Sequence, residues 1–145
     1  MYGLKGNIKM QENTYKSKTE LRVRWSECDM QGIALNAIYM VWSEIAVQEH
    51  FRSLNLNIYE LGKENIFDTV IVHSNIDYKL PARLDEILAI YTGVKNIGNS
   101  SFIMEFEIIN QKKELLTYIE NTYVSYDRIK EKSKSIPENI RKILS

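Results

Sequence analysis

The 145-residue sequence predicts an α+β domain in which one curved antiparallel sheet wraps a single long helix. Residues 37–54 are apolar around most of a helical circumference, which is typical of a helix buried on most sides. Strand-like segments separated by short turns follow between residues 68 and 126. Because no other part of the chain is apolar enough to cover the helix, we expect the sheet to curve around it.

The part of the chain before the long helix predicts a tail and one strand. Residues 1–18 are polar, and we expect them to form a mobile tail ahead of a single domain, residues 19–145. Residues 19–25 alternate between apolar and charged side chains, which predicts a half-buried strand. Its buried face would consist of Leu21, Val23 and Trp25.

Three helix starts are predicted from capping residues. Asn36 is a plausible N-cap of the long helix, residues 37–54, because its side-chain oxygen can accept hydrogen bonds from the first-turn amides. A short second helix begins after Asn57 and ends at Gly62. Pro137 starts a short terminal helix.

Four strands are predicted between the second and the terminal helix. They cover residues 68–80, 86–97, 101–110 and 114–126. The connections between them are short, so we expect successive strands to be antiparallel neighbours. Alternation in the first of them predicts that one face carries Val70, Val72, Ser74, Ile76, Tyr78 and Leu80.

Composition limits the functional classes. Lys plus Arg and Asp plus Glu both number 19, and this balance argues against a general nucleic-acid or membrane-surface binder. The single cysteine forms no internal disulfide and fits a reducing compartment. No apolar run is long enough for a membrane span, and the first residues lack an apolar signal core. We therefore expect a soluble, cytoplasmic protein.

A motif around the start of the long helix carries a family resemblance. The segment RWSECDMQGIALNAIYMVWSE, residues 24–44, has an acidic-x-Asp pattern, a glycine three residues later, and a tyrosine and an aromatic-x-Glu on the helix. With the blocks IDYKLPARLDEIL and IGNSSFIMEFEI, it resembles the hydroxybenzoyl-CoA thioesterase-like family of hotdog-fold acyl-CoA thioesterases. The resemblance spans residues 19–128.

The resemblance implies a hotdog fold, an acyl-CoA substrate and a homodimer or homotetramer, with the substrate in a cleft between subunits. It implies that Asp29 is the catalytic carboxylate. The residues predicted to contact the substrate are Gly32, Ile33, Tyr39, Ser100 and Ser101. Asn36 departs from the family pattern, which commonly has Tyr or His there, and Ile38 stands where the family commonly has Asn.

Elementary chemistry agrees with a catalytic role for Asp29. Thioester hydrolysis needs a carboxylate, acting as nucleophile or as general base, and hydrogen-bond donors for the oxyanion. The amides of Asn36 and Ala37 at the helix start are such donors, because a helix N-terminus has unpaired N–H groups and partial positive charge. Gly32 would let the chain turn tightly between them. This chemistry requires no metal or cofactor. A structural alternative remains, in which Asp29 and Gly32 are ordinary turn residues.

Other readings use different residues. A hotdog domain without catalysis would bind an acyl-CoA or acyl-carrier ligand as a sensor or scaffold. Glu44 is a second candidate carboxylate, on the helix, although a polar contact at a subunit interface also explains it. Cys28 as a thiol nucleophile is disfavoured by the neighbouring Asp29 charge. A dehydratase needs a histidine paired with an acid, and His50 and His73 stand outside that motif.

Overall fold

A single antiparallel sheet curves around one long helix in the computed structural model, which describes residues 15–145. The strands are β1 (Ser17–Arg22), β2 (Thr69–Tyr78), β3 (Ile87–Ile97), β4 (Ser101–Ile109), β5 (Leu115–Asp127) and the short β6 (Lys132–Ser133). The helices are α1 (Ile38–Ser53), α2 (Ile58–Lys63) and α3 (Glu138–Leu144). The predicted α+β class, with a sheet wrapped around a central helix, is confirmed.

The domain buries most of the circumference of α1 and leaves one stripe exposed. Trp42, Ala46 and Phe51 of α1 pack into a core with the inward-facing side chains of the sheet. The exposed stripe includes the apolar residues Val41 and Ile45. The expectation of burial on most sides is therefore confirmed, because the exposed residues before the last turn, Val41, Ile45, Gln48 and Glu49, form a single stripe along the helix. The uncovered apolar surface is available to another molecule.

The strand order corrects one topological expectation. The order is β1-β3-β4-β5-β2, and all these neighbours are antiparallel. β2 and β3 follow one another in the chain but lie apart in the sheet, because residues 79–86 carry the chain to the far side of the sheet. Within the described residues, β1 and β2 each pair with a strand on one side only, so each is an edge of the main sheet.

The first strand is shorter than predicted. It ends at Arg22, and a turn of 3₁₀-helix follows at Trp25–Glu27. Val23 is buried as expected, but Trp25 is 83% exposed and does not share its face. The turn is closed by Glu27, whose Oε2 accepts from the Arg24 amide at 2.8 Å and takes the chain out of the strand. Residues 1–14 of the predicted tail lie outside the described residues.

A β-bulge changes the predicted faces of β2. The register with β5 shifts between Ile71 and His73, so Val72 is the extra residue. Val70 pairs with Val124 on the outer face of the sheet, and Val70 and Val72 therefore do not continue the face that was predicted. The β2 residues opposite the buried side chains of β5 are Thr69, Ile71, Ser74, Ile76 and Tyr78.

The remaining helix signals are confirmed with small shifts. The Asn57 side chain caps α2 by accepting from the Glu60 amide at 3.2 Å. α2 continues to Lys63, one residue past Gly62. Pro137 directly precedes α3. No helix between residues 15 and 145 has the length and apolar character needed to cross a membrane.

Candidate active site

The predicted catalytic residue Asp29 lies in a tight loop just before α1. Cys28 and Ala34 face each other in an antiparallel bridge, which makes residues 28–34 a miniature hairpin. The Asp29 amide donates to the Ile33 carbonyl at 2.9 Å and closes the loop. Asp29 therefore sits at the closed end of this hairpin, and α1 begins beyond its open end.

The Asp29 carboxylate is exposed and oriented by backbone donors. Its Oδ1 accepts from the amide of Gln31 at 2.8 Å and, more weakly, from the amide of Ile33 at 3.4 Å. No residue in the described part of the chain donates a hydrogen bond to Oδ2. One oxygen thus fixes the exposed side chain, while the other accepts from no described residue. This arrangement suits a nucleophile or a general base, which needs an accessible lone pair in a defined direction.

Gly32 has the backbone conformation that the tight loop requires. Its φ of +73° lies in the left-handed region, where a residue with a Cβ is strained. Its carbonyl accepts from the Leu84 amide at 2.9 Å, and Ile33 forms a bridge with Arg83. The loop is thereby attached to residues 82–84. Gly32 and Ile33 share this loop with Asp29, and their contact with a substrate stays a prediction.

The start of α1 differs from the prediction in its cap. Ala37 is the N-cap residue, and no side chain caps the helix, so the prediction that Asn36 is the N-cap is wrong. The physical reason is a turn immediately before α1, in which the Ile38 amide donates to the Leu35 carbonyl at 3.0 Å. Asn36 lies inside this turn, with its side chain exposed.

Two amides at this helix start are open to a ligand. Within residues 15–145, neither the Asn36 amide nor the Ala37 amide donates a hydrogen bond to the protein. These are the two amides predicted from the sequence to bind an oxyanion. Unpaired amides at the positive end of a helix dipole favour an oxygen carrying negative charge.

Glu27 ties the hairpin to the helix, a role that sequence reasoning missed. Its carbonyl accepts from the Leu35 amide at 2.9 Å. Its Oε1 accepts from Trp42 Nε1 at 3.2 Å, which connects it to the buried side of α1. The acidic-x-Asp pattern in the motif is the signal that could have identified this residue. Asp29 and the helix amides are consequently held by one rigid unit.

Tyr39 lies in the core rather than on an open surface. It is buried, and its hydroxyl accepts from the Ala82 amide at 3.0 Å. Its ring makes edge contacts with Trp42 and Tyr78, with centroids 5.0 and 5.3 Å apart. Tyr39 therefore supports the Asp29 loop indirectly, by binding the segment of residues 82–84 to which the loop is attached.

Ser100 and Ser101 lie far from Asp29 in the same chain. They stand at the turn between β3 and β4, whereas the Asp29 loop contacts residues 82–84, just before β3 begins. β3 has 11 residues, which corresponds to about 35 Å at the usual rise per residue. One chain therefore does not bring the predicted serines and the predicted carboxylate together.

The second candidate carboxylate, Glu44, is engaged with the sheet. Its Oε1 accepts from the Tyr123 hydroxyl at 2.9 Å. Burial, with the Glu44 charge as a second cause, raises the pKa of the Tyr123 phenol. Tyr123 thus stays protonated and keeps donating to Glu44. This contact links α1 to β5.

The other candidates of the sequence analysis find no catalytic geometry. Burial raises the pKa of the Cys28 thiol, with Glu27 and Asp29 adding to the effect, so a thiolate is disfavoured. His50 is buried between α1 and β1, where Nδ1 lies 2.7 Å from Ser17 Oγ. His73 is exposed on β2. Residues 15–145 contain no cluster of three or more His, Cys, Asp or Glu side chains placed to hold a metal.

The surface around Asp29 is open and partly apolar. Met30 in the loop and Trp25, three residues before it, are highly exposed. Three pockets of about 300, 770 and 730 Å³ on the described surface are lined by other residues. None of these three pockets includes Asp29.

Comparisons with known proteins show what this chain is similar to. The family model of the thioesterase-like superfamily matches residues 23–144. A protein of Escherichia coli O6:H1 named acyl-CoA thioester hydrolase YbgC is 28% identical over 128 residues, which cover 88% of this chain and 95% of that protein.

Solved structures share the fold. A DHNA-CoA thioesterase from Staphylococcus aureus superposes with a TM-score of 0.82 at 21% identity, covering 88% of this chain and 87% of that chain. A 1,4-dihydroxy-2-naphthoyl-CoA thioesterase from Synechocystis superposes with a TM-score of 0.81 at 18% identity, covering 88% of this chain and 93% of that chain. The predicted hotdog fold is confirmed.

Proposed function

The chain belongs to the thioesterase-like superfamily, and we propose that it is an acyl-CoA thioesterase that releases a free acid and CoA. The observation that carries the proposal is the Asp29 carboxylate, held through one oxygen by the loop amides with its other oxygen open. The hairpin that holds it also leads into a helix start with two unpaired amides. The E. coli relative, named as an acyl-CoA thioester hydrolase, supports the same reaction class.

Two reaction paths fit this site. As a nucleophile, Asp29 attacks the thioester carbonyl carbon, the carbon–sulfur bond breaks, and the resulting anhydride is hydrolysed by water. As a general base, Asp29 takes a proton from a water molecule that attacks the same carbon, and the thiolate leaves. In both paths the carbonyl oxygen becomes an oxyanion, which the amides of Asn36 and Ala37 stabilise.

The complete site requires two copies of the chain, joined along their β2 edges. A twofold axis pairs β2 antiparallel with its copy. The Tyr78 end of one β2, which contacts the helix start, then lies beside the Thr69 end of the other. At that end Thr69 pairs with Ser125, whose amide donates to the Ser100 carbonyl at 2.7 Å. Ser100 and Ser101 of the partner subunit thereby approach Asp29 and line the cleft for the CoA arm.

A hydrolysis screen tests the proposed reaction. Aromatic, short-chain and long-chain acyl-CoA thioesters and an acyl-carrier thioester are incubated with the protein, and released thiol is measured with a colorimetric reagent. We expect at least one of them to be hydrolysed well above the background rate. If none is hydrolysed while calorimetry shows tight acyl-CoA binding, the protein is a binding module instead. The cytoplasmic location expected from the sequence stays a prediction.

A further inference from the structure

Tyr78, at the end of β2, reaches the start of α1. Its hydroxyl donates to the Asn36 carbonyl with an O···O distance of 2.9 Å, although the two residues are 42 positions apart in the chain. The Asn36 carbonyl is part of the turn that precedes α1. The contact therefore joins an edge strand of the sheet to the backbone that carries the proposed oxyanion donors.

The Asn36 carbonyl and the Ala37 amide belong to the same peptide unit. Because that unit is planar and trans, its C=O and N–H bonds point in opposite directions. A donor that fixes the carbonyl direction therefore fixes the direction of the amide as well. Donation to the carbonyl also polarises the unit and strengthens its N–H as a donor.

The surroundings hold Tyr78 in place for this contact. Its backbone pairs with Thr117 of β5, and its ring packs edge-on against Tyr39. The Tyr39 hydroxyl in turn accepts from the Ala82 amide, beside the Asp29 loop. On the other side of the peptide unit, the Ala37 amide finds no acceptor among residues 15–145. The protein thus fixes the direction of the Ala37 N–H, and no described residue accepts a hydrogen bond from it.

We infer that Tyr78 is a positioning residue that orients the Ala37 amide, one of the two proposed backbone donors, toward the developing oxyanion. The inference rests on the proposed thioesterase function. Tyr78 acts through the Asn36–Ala37 peptide unit and does not itself contact the reacting carbonyl. Its hydroxyl therefore affects the transition state more than the binding of the substrate.

The variant Tyr78→Phe tests this inference, because it removes the hydroxyl and keeps the ring that packs on Tyr39. We expect kcat to fall about three- to tenfold, the effect of losing one neutral hydrogen bond, with KM changed less than about twofold. In ¹⁵N-labelled protein we expect the Ala37 amide resonance to shift and its hydrogen exchange to accelerate. The matched control is Tyr118→Phe, which removes a hydroxyl bonded to Glu105 and Glu120 on the outer face of β5.

The two readouts separate the inference from the proposed function. An Ala37 resonance and exchange rate identical to the wild type would overturn the positioning role of Tyr78, whatever the activity. A rise in KM with unchanged kcat would overturn it too, because it would indicate substrate binding. If the wild type hydrolyses no thioester, the proposed function fails, and the Ala37 resonance still decides whether Tyr78 orients this amide.

Discussion

The two candidate carboxylates of this protein differ in what surrounds them. Asp29 is exposed, and its contacts are backbone amides that leave one oxygen open. Glu44 is half-buried and accepts a hydrogen bond from Tyr123, whose phenol stays protonated because burial raises its pKa. The first environment leaves an oxygen accessible to a substrate or a water molecule, whereas the second uses the carboxylate to connect α1 with the sheet. The hydrogen bonds and burial of Asp29 and Glu44 therefore favour Asp29 as the proposed catalytic carboxylate, whereas the sequence offers both residues as candidates.

Asp29→Asn is expected to lower kcat at least about 10²-fold, because the amide group lacks the basicity and the charge of the carboxylate. The loop should keep its structure, since the remaining oxygen still accepts from the Gln31 amide. Steady-state kinetics and thermal melting of the variant test both statements. The comparison variant is Glu44→Gln, which keeps an acceptor for Tyr123 and should lose less than about tenfold. The opposite ranking of the two variants would place the catalytic carboxylate on α1.

Residue-level predictions succeeded where the signal is local. The glycine requirement at Gly32 follows from a tight turn, and its positive φ agrees. The Asn36 cap failed because the chain forms an extra turn before α1, which an N-cap preference does not reveal. The contact from Tyr78 to Asn36 was missed because it joins residues far apart in the chain. Such a contact depends on the path of the sheet.

At the scale of elements, periodicity predicted strands well but not their neighbours. β4 buries Phe102, Met104 and Phe106 in strict alternation, so its extent and its inner face follow from the sequence. β2 has polar and apolar residues exposed on both faces and contains a bulge. The alternation in β2 therefore predicted the wrong inner face for Val70 and Val72. The short connection from β2 to β3 also led to a wrong prediction, because the two strands are not neighbours in the sheet.

The packing of α1 against β1 includes a buried histidine. His50 Nδ1 contacts Ser17 Oγ, whereas Nε2 is buried without a hydrogen-bond partner in the described chain. Burial, with the Lys16 charge as a second cause, lowers the pKa of His50. The other nearby charged side chains, Glu49 and Arg52, form an exposed ion pair on the same helix. No carboxylate is described in contact with the ring, so protonation is disfavoured in the folded protein.

Acid should therefore weaken this helix–strand contact. A histidine with a lowered pKa in the folded state takes up its proton more readily when unfolded, so the free energy of unfolding decreases as pH falls below about 6.5. The free energy of unfolding stops decreasing once the pH has fallen below the pKa of His50 in the folded protein. Thermal melting between pH 7.5 and 5.5 measures the effect, and His50→Gln should lose this part of the pH dependence. His73→Gln, on an exposed site, should retain it, and equal behaviour of the two variants would contradict the assignment.

At the scale of the whole molecule, the uncovered apolar surface and the distance between Asp29 and the predicted serines both favour the proposed assembly. Val41 and Ile45 on α1 are exposed, as are Ile71 and Val72 on the edge strand β2. Asp29 and the predicted serines lie at opposite ends of β3. A twofold pairing of β2 edges would cover the apolar residues and bring the serines of one subunit to the Asp29 of the other. Stability and catalysis would then depend on the same contact.

We expect the protein to be a dimer or larger at micromolar concentration, measured by light scattering coupled to size-exclusion chromatography. Val72 is 59% exposed at the bulge of β2, and Val72→Lys should yield monomers, because a lysine on a free edge opposes strand pairing. Turnover should fall at least about tenfold with the loss of the partner's share of the cleft. Ile129→Lys adds the same charge at an apolar site that is 81% exposed, in the turn after β5, and should leave both mass and turnover unchanged. A monomeric wild type that hydrolyses acyl-CoA at full rate would show that one chain completes the site by itself.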